Sequence, residues 1–444
     1  MSEPFDLLLR GGTCVLPWGD VAVADVGIAG GRIVDVGDLT GTPAAEVVDC
    51  TGLHVLPGVI DSQVHFREPG LEHKEDMGTG TAAAALGGVT AVMDMPNTRP
   101  PTASASDLAD KCRRAKDRAW VDMAFFVGAS AANVEDLGTM ESLPGCAGIQ
   151  MFLGSSFANL LVEDDATLAQ VLAQGRRRVV VHCEDERRLR ERLHIAREGR
   201  DVALHPVWRD ETAAVEATRQ AVALAKGLNR RLHLLHVSSA AEMAFLKDHH
   251  DMVTIEVTPQ HLTLSAPDVY QRLGTKAQMN PPIREAAHRE ALWAAVRAGL
   301  VDVIGTDHAP HTLADKAKPY PQSPSGMPGV QTLVPVMLTH VAEGRLSLSR
   351  FVDLTSAGPA RVFGLAGRGR IALGFGAHLT VVDLAAKRRI TDGWIASKCG
   401  WTPFDGMNAT GWPVMTVVGG RVVMRDGQLL GPPQGTAIRF LEVG

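Results

Sequence analysis

No stretch of this 444-residue chain reaches the roughly 18 to 20 uninterrupted apolar residues of a membrane span. The opening residues have neither a basic region nor a long apolar core, so no secretory signal is read there and the expected location is the cytoplasm. Cysteine is scarce and dispersed: Cys14, Cys50, Cys112, Cys146, Cys183 and Cys399 show no CxxC spacing. That excludes a disulfide framework and a cysteine-held zinc ribbon. Positive charge is not in excess either. The formal net charge is -6, which argues against nucleic acid or an anionic membrane as partner and leaves a small molecule as the expected one. Short basic clusters such as Arg176-Arg177-Arg178 read as solvated helix surface. Low-complexity tracts are missing, and so is any repeat beyond a β/α alternation. What is left is an ordinary globular composition, 45% hydrophobic and 21% charged, long enough for one large domain and a smaller one.

Apolar, strand-like runs recur at 55–65, 89–95, 121–127, 148–153, 179–183, 232–237, 253–258 and 301–307. Stretches rich in Ala, Leu, Arg and Glu, all good helix formers, lie at 82–87, 108–119, 212–227 and 288–298. Eight strands with intervening helices specify an α/β fold, the (β/α)8 TIM barrel, whose chemistry sits at the C-terminal strand ends. Short alternating segments with glycine turns occur only near the chain ends, around 6–12, 26–37, 378–383 and 417–424. They read as hairpin strands. The expectation is a small β-sandwich domain built from both termini, residues 1–55 and 366–444, around a barrel over 56–365.

The stretch from Gly58 to Gly70 organises the site. Strand alternation puts Asp61, Gln63, His65 and Arg67 on one face, with a histidine suited to a metal ion and an arginine suited to an anionic group. The plainer reading is a buried, hydrogen-bonded histidine and a surface arginine. His182, His236 and Asp307 end the fifth, sixth and eighth runs. One such histidine is ordinarily structural, but His65, His182, His236 and Asp307 are four N and O donors at one barrel mouth, and they fit a zinc-type shell. The Pro-rich stretch 318–326, after the eighth run, reads as an ordered loop beside the site and a candidate lid.

Gly58-Val59-Ile60-Asp61 with His65-Phe66-Arg67-Glu68-Pro69-Gly70, then Met95-Pro96-Asn97-Thr98, Met279-Asn280-Pro281-Pro282-Ile283-Arg284 and Thr306-Asp307-His308-Ala309-Pro310-His311, resembles the dihydroorotases of the amidohydrolase superfamily. The similarity covers essentially the whole chain. Allantoinases and hydantoinases share the first block, whereas the Met-Pro-Asn-Thr and Met-Asn-Pro-Pro blocks are dihydroorotase-like. The resemblance implies reversible cyclisation of N-carbamoyl-L-aspartate to L-dihydroorotate, the third step of pyrimidine synthesis. It also implies that Arg67, Asn97 and His311 hold the substrate carboxylate, that Asn280 contacts the ring, and that Asp307 is the metal-bound acid/base. A homodimer is implied too, with aspartate carbamoyltransferase as the precedent for a partner.

The chemistry stands beside the resemblance. Opening a cyclic amide with water needs a nucleophile at neutral pH, a polarised carbonyl and a proton shuttle; zinc supplies the first two and Asp307 the third. Arg67 can hold a carboxylate in a two-point fork, with Asn97 as neutral support. Two positions depart from the family pattern. Gln63 replaces the first histidine of a His-x-His pair, and Gln150 stands where many members carry a carboxylated lysine or an aspartate that bridges two metals. A glutamine offers only a neutral oxygen, so one zinc per chain is expected, not two. Gln260 is a third position where histidine was expected, although not as a ligand. The alternatives are a catalytically impaired subunit supporting a partner, and hydantoinase or allantoinase activity.

Overall fold

The computed structural model describes residues 4–154 and 160–441. Met1 to Glu3 of the opening segment lie outside them. Eight parallel strands stand side by side in chain order: Val59–Val64, Val89–Asp94, Asp122–Gly128, Cys146–Phe152, Val179–His182, Leu232–Leu234, Val253–Val257 and Val303–Ile304. Every residue in them is buried. A parallel sheet covered on both faces needs this, and it explains why the sequence shows continuous apolar runs there and not alternation. The seam between the last strand and the first closes just beyond the eighth strand, where His65 N donates to His308 O (2.7 Å) and His308 N to Gln63 O (3.3 Å). The barrel therefore shuts at the level of the predicted site.

One expected strand is two. The run 55–65 breaks at Gly58: His54–Pro57 pairs with the terminal sheet, and only Val59–Val64 enters the barrel. The break is steric as well as topological, because a Cβ on Gly58 would meet Thr90 Oγ1 at 2.4 Å and the His378 backbone at 2.9 Å. The terminal strands form one mixed sheet of nine, in which Phe5–Val15 pairs with both Ala44–Asp49 and His54–Pro57. Its two halves close over Leu7, Leu9, Val26, Ile28, Val55, Val381 and Val417. The fold is thus a TIM barrel with a β-sandwich built from both termini.

Helix caps set where the strand-end loops stop. Asp185 accepts from Arg188 N (2.8 Å) three residues after His182, and Ser239 caps the helix Ala240–Leu246 three residues after His236. Thr258 and Thr312 start the helices Pro259–Thr263 and Leu313–Lys316 in the same way. Each cap satisfies an otherwise orphan helix N–H, so the short segment carrying the functional side chain is pinned at both ends.

Candidate active site

A cavity of about 410 Å³ opens at the C-terminal mouth of the barrel. Gln63, His65, Arg67, Asn97, Gln150, His182, His236, Asn280, Asp307 and His311 all line it. The loop read as a candidate lid contributes Pro321, Ser323, Pro324, Ser325 and Gly326 to its wall. Asp61 is the exception to the expected common face: it sits deeper, accepting from Thr306 N (2.9 Å) and Gln63 N (3.2 Å), and ties the first strand to the eighth. Three of the site residues reach the cavity from left-handed backbone, Arg67 at φ 63°, His236 at φ 38° and Asp307 at φ 48°. They stand in the loops just past their strands, where strand alternation no longer predicts facing.

The four expected metal donors are presented as two pairs. His65 Nε2 lies 3.0 Å from Asp307 Oδ1, and His182 Nδ1 lies 3.0 Å from His236 Nε2. Among the described residues no three His, Cys, Asp or Glu side chains form a ready cage. The outward nitrogens are anchored: His65 Nδ1 bonds Asn97 Oδ1 (2.6 Å), and His182 Nε2 bonds Glu184 Oε2 (3.0 Å). Each is then the N–H donor of its bond, because amide and carboxylate oxygens only accept. That leaves a bare His65 Nε2 lone pair against the Asp307 carboxylate, an arrangement that calls for a cation or a second proton between them. Gln63 Oε1, Gln150 Oε1 and His236 Nδ1 are buried without a partner among the described residues, and all three residues line this cavity. Unsatisfied acceptors around paired lone-pair donors fit a bound cation, and N/O donors of this kind suit zinc.

Electrostatics divide the cavity. Burial pushes Asp307 up, but the bond that His65 makes to it once that second proton is present, with His236 and His182 nearby, outweighs this and holds it below the ordinary carboxyl range. Burial and His182 lower His236 to about 3, so it is a neutral imidazole, as a ligand must be. The opposite wall is cationic. Arg67 is 5% exposed and donates from Nε to Pro310 O (3.1 Å). Among the described residues no carboxylate stands within ion-pair distance of it. His311 donates from Nε2 to Ser325 O (2.9 Å) and accepts Lys74 Nζ at Nδ1 (3.1 Å). In that tautomer it cannot also accept from Arg67 Nη2, 3.2 Å away, so the guanidinium fork stays available. Asn280 Oδ1 accepts from His205 Nε2 (3.0 Å), which leaves its amide nitrogen for a ligand.

Several supporting residues were not legible in the sequence. Glu184 is fully buried and accepts from Arg209 Nε (3.0 Å) and Nη2 while holding His182. Arg209 keeps its carboxyl ionised against the burial that would raise it. The only signal was the His182-x-Glu184 spacing; nothing marked Arg209. Lys316 is another: buried, it donates to the carbonyls of Gln278 (3.3 Å), Pro324 (2.8 Å) and Gly326 (3.1 Å), and so clasps the Pro-rich loop. Trp401, from the C-terminal segment, donates to His311 O (2.8 Å). Gln260 stands outside the cavity lining; its Nε2 donates to Thr306 O (2.8 Å) and steadies the residue before Asp307.

Among the described residues no helix is long and apolar enough to cross a membrane. A family model described as the amidohydrolase family matches residues 54–423. The chain is 36% identical to a dihydroorotase of Methanothermobacter thermautotrophicus over 408 residues, 91% of this chain and 92% of that one. It is 33% identical to an allantoinase of Deinococcus radiodurans, over 98% of each. Its fold is similar to that of L-hydantoinase from Arthrobacter aurescens, with a TM-score of 0.91 and 29% identity over 96% of this chain and 98% of that one. A barrel with this mouth, matched by the family model over most of its length, belongs to the amidohydrolase family, in its cyclic-amide branch.

Proposed function

We propose that this hydrolase is a dihydroorotase that works with one zinc ion, held among His65, His182, His236 and Asp307. The observation that carries the reading is Arg67: a buried guanidinium in the reaction cavity with no carboxylate of the described residues within ion-pair distance. Such a cation is retained where a ligand supplies the anion. Dihydroorotate and carbamoyl-aspartate carry carboxylates; unsubstituted hydantoin and allantoin do not. A purely structural descendant has no need of that guanidinium, which disfavours the impaired-subunit alternative.

Zinc, when bound, brings the pKa of water to roughly 7 and polarises the scissile carbonyl. The chain's own residues supply the rest. Arg67 grips the carboxylate as a fork, with Asn97 and His311 beside it, and so sets the ring's distance from the histidine wall. Asp307, kept ionised, takes the proton of the attacking water and returns it to the departing ring nitrogen; in cyclisation the proton runs backward. Asn280 offers an amide donor to the ring. The loop clasped by Lys316 closes one wall against solvent. Gln150 brings a neutral oxygen where a bridging anion would be needed, and Gln63 an amide in place of a histidine, which supports one metal and not two.

The reading is tested by steady-state kinetics on dihydroorotate, hydantoin and allantoin with zinc-loaded protein. A kcat/KM for dihydroorotate at least about a hundredfold above the others is expected, since a missing carboxylate leaves Arg67 unpaired in each complex. A preference for allantoin or hydantoin would overturn it.

A further inference from the structure

A second cavity, about 580 Å³, lies at the opposite end of the barrel, where Asp122 opens the third strand. Its walls come from the turns 30–32 and 419–421 of the terminal sheet, the segments 366–368 and 376–378, and the C-terminal segment 434–439. Arg32, Arg368, Arg421 and Arg439 line it, against the single carboxylate of Asp122. In a chain of net charge -6 this is a concentrated reversal of sign.

The carboxylate is already committed. Asp122 Oδ1 accepts from Thr436 N (2.6 Å) and Thr436 Oγ1 (3.0 Å), and Oδ2 pairs with Arg368 Nη2. Arg421 and Arg439 have no ion-pair partner among the described residues. Solvation accounts for arginines on a rim, but not for Arg368. Its side chain is 8% exposed, and its Nη1 is buried with no hydrogen-bond partner among the described residues. His378 accepts from Gly419 N at Nδ1 (3.2 Å), so its proton is on Nε2, a further donor in the same wall. Gly31 and Gly420 let the two turns meet: a Cβ on Gly31 would lie 2.9 Å from Gly419 O, and one on Gly420 2.9 Å from Gly31 Cα.

Guanidinium forks in excess over carboxylates, with a buried unsatisfied N–H, suit the tetrahedral oxygens of phosphate, and the volume is within the range of small-ligand sites. We propose that this cleft binds a small, multiply charged phosphate anion, of the oligophosphate class, at a site separate from the reaction cavity. The anion clamps the terminal sheet, the barrel floor and the C-terminal segment together.

The test is calorimetric titration of pyrophosphate, and in parallel adenosine triphosphate, into the full-length zinc-loaded protein. Three proteins are compared: wild type, Arg67→Met, and Arg421→Ser with Arg439→Ser, whose exposed side chains leave the Asp122–Arg368 pair intact. Saturable binding of one pyrophosphate per chain is expected in wild type and Arg67→Met, weakened at least tenfold in the double variant. Zinc stripped by pyrophosphate would be common to all three and cancels. Equal affinity for the nucleotide assigns the phosphate chain alone as the recognised group; tighter nucleotide binding assigns a phosphorylated nucleoside. No saturation below about 1 mM, unchanged affinity in the double variant, loss of binding in Arg67→Met, or nucleotide binding without pyrophosphate binding would each overturn the proposal.

Discussion

Arg67→Met should stabilise the free protein while removing its activity. Burial is the main influence on this guanidinium and lowers it from 12.5 to about 10, so it remains charged at neutral pH but at a cost. At about 1.36 kcal/mol per pKa unit, the charge is disfavoured by roughly 3 kcal/mol. Losing the Nε–H bond to Pro310 O forfeits about 1 kcal/mol of that. Methionine fills similar space and also places a Cβ at φ 63°, so backbone strain cancels. A net gain of about 2 kcal/mol follows, the usual sign when a buried unpaired charge gives way to an apolar side chain. Substrate binding moves the other way. Two charge-assisted bonds to a carboxylate are worth about 1.5–3 kcal/mol each, so kcat/KM for dihydroorotate should fall by about 10² to 10⁴. Thermal unfolding and kinetics on one preparation, with metal content verified, read both signs. A Tm that drops by several degrees while activity survives would refute the reasoning, because Arg67 would then be a structural cation.

Metal analysis should find no more than one tightly held zinc per chain, since two cations a few ångströms apart would have only the neutral oxygen of Gln150 where a bridging anion is needed; two metals bridged by another ligand would contradict this. Asp307→Asn should lower kcat by at least about 10² to 10⁴ with an unchanged circular dichroism spectrum, and a wild type no faster than this variant would remove the proton shuttle from the mechanism. Lys316→Met gives a pH signature. Burial, then Arg67, lowers Lys316 from 10.5 to about 7, so between those values the unfolded chain binds more protons and wild-type stability rises with pH. Below pH 7 the full penalty is present; above 10.5 it is gone. The Tm difference, wild type minus variant, should therefore climb between pH 7 and about 10, and a flat difference would mean that Lys316 is not held as a buried cation.

Much of this protein was decided locally. Eight buried parallel strands announce themselves as unbroken apolar runs, because burial on both faces leaves no alternation to read. Residues that need one chemistry at one strand end, His65, His182, His236 and Asp307, can be placed at the mouth because a TIM barrel brings all C-terminal strand ends together. Gln63 and Gln150 were legible as substitutions only beside the dihydroorotase resemblance. Local pattern could not say that the run 55–65 serves two sheets, since the break at Gly58 is imposed by His378, distant in sequence. Nor could it say that the donors stand as two pairs, because Arg67, His236 and Asp307 leave their strands through left-handed backbone. The supports of the site were hidden for the same reason. Arg209 under Glu184, Lys316 under the Pro-rich loop and Trp401 on His311 act through hydrogen bonds across long sequence separations. Strand propensity and residue spacing carry the scaffold and the choice of reacting groups; which charges are compensated and which are left for a ligand depends on desolvation, and only the closed barrel determines that.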